Sequence, residues 1–151
     1  MNRRQILLAT LAASGFALMS IPAKAGKDPV FTGLGSGVGA GGYDVVAYFS
    51  GQSAPGNAEI TTEWKGATWR FVNAANKAAF DAAPEKYAPQ FGGYCAYAVA
   101  NGYTAKGDPE AWSVADGKLF LNYSKGVRAK WQEDVPGNIT AGNANWPKVL
   151  E

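Results

Sequence analysis

Apolar positions along this chain fall into short runs broken by glycine, proline or a charge, and only two stretches carry a helical period. Residues 43–49, Tyr43-Asp44-Val45-Val46-Ala47-Tyr48-Phe49, are apolar and β-prone apart from Asp44, and Ser50-Gly51 ends them, which predicts a strand. Residues 60–64 and 68–72 flank Lys65-Gly66-Ala67 and predict a hairpin that carries Trp64, Trp69 and Phe71. At Asn73 the period changes to that of a helix over 74–83, with Asn73 as its cap, Phe80 facing inward and Pro84 interrupting it. One more turn, Glu85-Lys86-Tyr87, closes before Pro89, because the residue ahead of a proline is pushed out of the helical region.

Gly92-Gly93 then predicts a turn feeding a central strand over 94–99, apolar on both faces, with Cys95 in or beside the core. A second hairpin is expected from 112–114 and 118–123, where Asp116-Gly117 supplies the positive-φ turn. Ser124 caps a helix through Asp134 with Val127 and Trp131 inward, and Pro136-Gly137 stops it, leaving a tail anchored by Trp146. No internal repeat is expected. These elements predict an α+β fold, a small antiparallel sheet built from two hairpins with two or three short helices packed on it.

The first 42 residues read differently. Residues 1–25 have a basic start at Arg3-Arg4, an apolar run over 6–21 and a small-x-small site at Ala23-Lys24-Ala25, which predicts a cleaved export signal and a periplasmic or secreted product. The paired arginines partly match a twin-arginine signal, and the general export route is the alternative. The run is too short and too weakly apolar for a membrane span. Residues 26–42 end in Gly33-Leu34-Gly35-Ser36-Gly37-Val38-Gly39-Ala40-Gly41-Gly42, and a flexible linker is expected there rather than a phosphate loop, because no strand precedes it. The folded domain is then residues 43–151. Taking Arg3, Arg4 and Lys24 from 14 basic residues leaves 11 against 12 acidic ones, a net charge of −1 that offers no footprint for nucleic acid or an anionic membrane.

Gly42-Tyr43-Asp44-Val45-Val46-Ala47-Tyr48-Phe49, Trp69-Arg70-Phe71 with Asn76 and Phe80, Pro84-Glu85-Lys86-Tyr87, and Gly92-Gly93-Tyr94-Cys95-Ala96 together resemble exported bacterial proteins of the YHS-domain family, over about residues 42–147. In that family's metal-associated branch, cysteines near the first strand and around the hairpin-to-helix turn look like metal ligands. Here those places hold Asp44-Val45-Val46 and Val72-Asn73-Ala74-Ala75-Asn76, so the resemblance carries the fold and not the metal chemistry.

Chemistry is narrowed by what is missing. The chain has no histidine, its two methionines are Met1 and Met19, and Cys95 is the only cysteine, so zinc, copper and haem ligands are in short supply within one chain. No catalytic residue and no metal ligand is assigned, and no cofactor is named. Polar-tipped aromatics gather near the lone thiol, which predicts a pocket of Tyr43, Asp44, Tyr48, Tyr94 and Cys95 for a small molecule or a periplasmic protein partner. Asp44 has a plainer alternative role, bonding nearby backbone amides. The expected function is a non-catalytic binding or accessory domain. The alternatives are a thiol- or carboxylate-dependent enzyme, or a metal or haem carrier with a site shared across a dimer through Cys95.

Overall fold

The computed structural model describes residues 26–33 and 36–151, so the expected export signal at 1–25 lies outside the described residues. The architecture is α+β. Strands β1 (Asn57–Trp64) and β2 (Ala67–Phe71) form the first hairpin, followed by helices α1 (Ala74–Ala82), α2 (Pro84–Tyr87) and α3 (Ala96–Ala100). Strands β3 (Asp108–Ala115) and β4 (Lys118–Asn122) form the second hairpin, followed by α4 (Lys125–Gln132) and α5 (Val135–Asn145). The hairpins make two separate two-stranded antiparallel sheets. Each closes through a two-residue turn with both residues at positive φ, Lys65-Gly66 (49° and 75°) and Asp116-Gly117 (52° and 72°), whose twist matches that of the strands.

β1 opens at residue 57 and β3 at residue 108, a step of 51, and this step relates the two halves throughout. Both hairpins carry an irregular register at the same place, between Asn57 and Thr61 and between Asp108 and Trp112. Asn57 Oδ1 accepts from Glu59 N as Asp108 Oδ1 does from Glu110 N, and the helix caps Asn73 and Ser124 accept from Asn76 N and Val127 N. Asp44 N donates to Ala54 O as Cys95 N does to Ala105 O. Tight turns at Gly39–Gly42 and Gln90–Gly93 open the two halves. The chain is therefore an internal repeat, contrary to expectation.

Three further expectations are corrected. Residues 43–49 are not a strand but a turn running into a 3-10 segment, Ala47–Ser50, because Asp44 Oδ1 accepts from both Val46 N and Ala47 N and curls the backbone. Residues 94–99 are not a central strand, since the alanine-rich Ala96–Ala100 is helical at the equivalent place. Pro136-Gly137 does not end a helix but begins one: Asp134 Oδ1 accepts from Gly137 N, and Pro136 sits in the first turn of α5, where its missing N–H costs nothing.

The expected linker is also corrected for its described residues. Val30 and Ala40 are buried, Val38 bridges to Thr68, and Gly39 lies so close to the Trp69 ring that an added Cβ would come within 2.9 Å of it. One core cluster joins Val45, Tyr48, Trp69, Phe71 and Phe80 of the first half to Leu119 and Leu121 of the second. The other packs Phe91, Tyr94, Val99, Phe120 and Trp131 with Trp146 and Leu150 against it. At Gly126, inside α4, an added Cβ would meet only Ser124 Oγ, at 3.8 Å. Gly126→Ala is expected to stabilise the fold by about 0.5 kcal/mol through the lower entropy of its unfolded chain, read as a raised urea midpoint at unchanged slope.

Candidate functional site

Of the five expected pocket residues, Tyr94 alone lines one of the two cavities described below. Tyr43-Asp44 and Tyr94-Cys95 are the same two positions in the two repeats, so their apparent clustering is repetition. Asp44 is fully buried, and its carboxylate accepts from Val46 N, Ala47 N, Val72 N and the Asn76 Nδ2 amide at 2.8 to 3.2 Å, the structural role that was its plainer alternative. Cys95 is 1% exposed and its thiol lies 3.6 Å from Asn122 Oδ1. Asn122, also fully buried, takes over Asp44's work in the second repeat: its Oδ1 accepts from Tyr97 N, the counterpart of Val46 N.

The tyrosine tips are equally occupied. Tyr48 is buried against Trp112 and its hydroxyl donates to Pro109 O at 2.8 Å, while Tyr94 donates to Asp28 O at 2.8 Å. Burial, with help from the Glu110 carboxylate, pushes the Tyr48 phenol well above the ordinary tyrosine value of 10.0, and burial followed by Asp28 raises Tyr94. A hydrogen bond to Glu110 is the main cause that raises the partly exposed Tyr43. The folded state thus holds protons that the unfolded chain gives up above pH 10. Stability from these neutral phenols is complete below pH 10 and is lost as pH climbs past it, by at most about 1.4 kcal/mol per pH unit for each tyrosine. Urea unfolding at pH 8, 10 and 11 is expected to show that fall, with a shallower slope in Tyr48→Phe.

The more enclosed of two cavities among the described residues lies elsewhere. It measures about 210 Å³ and lies where the first hairpin, the link between the repeats and both ends of the described chain come together. Trp64 and Trp69 come from β1 and β2, Phe91 from the tight turn of the second repeat, and Trp146 from the segment after α5. Trp69 Nε1 donates to Trp64 O at 3.0 Å, which fixes its ring 5.9 Å from that of Trp64. Phe91 and Trp146 lie 5.9 Å apart. Phe31 N donates to Gly92 O, holding Pro29 and Val30 against the cavity floor.

The polar lining side chains are few: Lys65 and Glu85, which pair at 3.1 Å, and Gln90. A wider hollow of about 380 Å³ runs along Tyr94, between residues 26–33 and 104–106, and Tyr94 is the one expected site residue that lines either cavity. Sequence reasoning missed the Trp64, Trp69, Phe91 and Trp146 cleft because each of these rings alone reads as core. Their convergence depends on the repeat packing and on the returning tail.

Among the described residues no three His, Cys, Asp or Glu side chains gather as a metal site, and no helix is long and apolar enough to cross a membrane. Compared with known proteins, the chain matches no family model, no curated protein and no solved structure.

Proposed function

We propose that the protein is an exported, non-catalytic accessory domain of the YHS type that binds a small molecule in the cleft of Trp64, Trp69, Phe91 and Trp146. The observation that carries this reading is the cleft's chemistry: aromatic walls with a charged pair at the edge, the usual make-up of a small-ligand site. At about 210 Å³ it falls below the roughly 300–1,000 Å³ of drug-sized sites, which selects a ligand of one ring or a few carbons.

Thiol chemistry has less support, because Cys95 lines neither cavity and is 1% exposed. The same burial stands against a dimer-shared metal held by Cys95, which would need that thiol at a surface.

The test is a native mass spectrum of protein taken from the exported fraction, beside the same protein unfolded and refolded to strip it. Extra mass that is lost on stripping, and absent in Trp64→Leu, is the expected result. A bare mass, together with Trp64 and Trp146 indole resonances that ignore a small-molecule extract of that fraction, would remove the reading.

A further inference from the structure

Building on that reading of the cleft, we infer that its ligand is a small zwitterion bearing a methylated ammonium group and a carboxylate. The argument starts from a cation already in place. Lys65 Nζ sits 4.6 Å from the centre of the Trp64 ring and 3.1 Å from Glu85 Oε1. An ammonium over an aromatic face within about 6 Å is attracted by the negative face of the ring, and rings with a nearby acid are the usual means of recognising methylated ammonium groups. The molecule's own lysine therefore marks where a ligand cation gains from both groups.

Lys65 is suited to being displaced. It occupies the first position of the hairpin turn, its side chain is 50% exposed, and its partner Glu85 is 77% exposed, so the pair is held by little and exchanges freely with solvent. A methylated ammonium is more weakly hydrated than the lysine head and brings methyl groups that the half-buried Trp64 and Trp146 rings cover, so it gains more on leaving water. Once moved aside, the Lys65 ammonium is free to meet a carboxylate on the same ligand, and the Gln90 amide, which also lines the cleft, adds a donor and an acceptor. The small volume excludes larger cations.

Three probes separate the terms: glycine betaine, tetramethylammonium, and 3,3-dimethylbutanoate, which has the shape and carboxylate of betaine with carbon in place of the charged nitrogen. Each is titrated into the full folded domain while the indole N–H resonances of Trp64 and Trp146 are followed. Betaine is expected to bind at least tenfold more tightly than 3,3-dimethylbutanoate. Glu85→Gln, an exposed change that leaves the fold alone, weakens betaine several-fold, and Trp64→Leu weakens it about tenfold. Lys65→Asn, which suits the positive-φ turn, strengthens tetramethylammonium and narrows the advantage betaine has over it.

Equal or tighter binding of 3,3-dimethylbutanoate would overturn the recognition of a cation and leave the cleft standing as a ligand site. Silence from all three probes, with extra mass in the native spectrum, would do the same. Silence from all three with a bare native mass would overturn both.

Discussion

Asp44→Asn is expected to lower the stability of the fold by about 3 kcal/mol, and Asp44→Ala by about 4, both read as a lower urea midpoint. Four donors converge on this one carboxylate: Val46 N and Ala47 N on Oδ1, Val72 N and Asn76 Nδ2 on Oδ2. An asparagine keeps one acceptor, but its amide then faces two other donors, so two groups at a buried site lose their partner. Alanine leaves all four without one, and a buried unsatisfied donor costs roughly 1–3 kcal/mol. The two segments this carboxylate ties together, the turn after Tyr43 and the start of α1, are far apart in sequence, so the loss is of tertiary structure. Its counterpart in the second repeat provides the control. Cys95→Ala removes a small buried side chain and one weak thiol contact, and is expected to cost only about 1 kcal/mol.

Gly107→Ala is the second large effect, with an expected loss of about 3 kcal/mol. A side-chain carbon there would stand 2.0 Å from Gly93 O and 3.0 Å from Leu121 Cβ, and the first of these is backbone that has no rotamer by which to yield. Gly107 immediately precedes β3, so the strand enters its hairpin pressed against the tight turn that opened the repeat. Gly56 stands at the same point of the first repeat, where the added carbon would meet Arg70 C at 2.4 Å, and a similar loss is expected. Gly51 sits at positive φ with open space around it, so Gly51→Ala tests backbone strain without collision and is expected to cost about 1 kcal/mol. Circular dichroism through a urea titration of the three variants would order them.

Local pattern sufficed for both hairpins, for α1 with its Asn73 cap and for α4 with its Ser124 cap, because turn chemistry and capping act within a few residues. It failed at residues 43–49 and 94–99, where apolar runs too short to tell strand from helix were decided by Asp44 and by alanine content. The repeat was hidden for a related reason. What persists at the 51-residue step is largely glycine and alanine, at Gly42 and Gly93, Ala47 and Ala98, Gly56 and Gly107, residues that set backbone path and catch no eye. Core positions were exchanged instead: Trp69 for Phe120, Phe71 for Asn122, Phe80 for Trp131. The pocket expectation arose from the same blindness, since Tyr43 and Tyr94 are one position met twice. Asn122 gave no sign in sequence, as nothing near it shows that a buried acceptor is needed there.

Lys27 N donates to Leu150 O at 2.7 Å, and Leu150 and Pro147 also line the tryptophan cleft. Both ends of the described chain thus emerge beside the cavity mouth. A peptide attached after Glu151, an affinity tag or a fused partner, is tethered there at a local concentration on the order of millimolar. Under the proposed function, an apolar or cationic tag there is expected to compete with the ligand in cis. Binding assays therefore call for a tag that is removed from the Glu151 end, or carried on the exposed Asp116-Gly117 turn of the second hairpin.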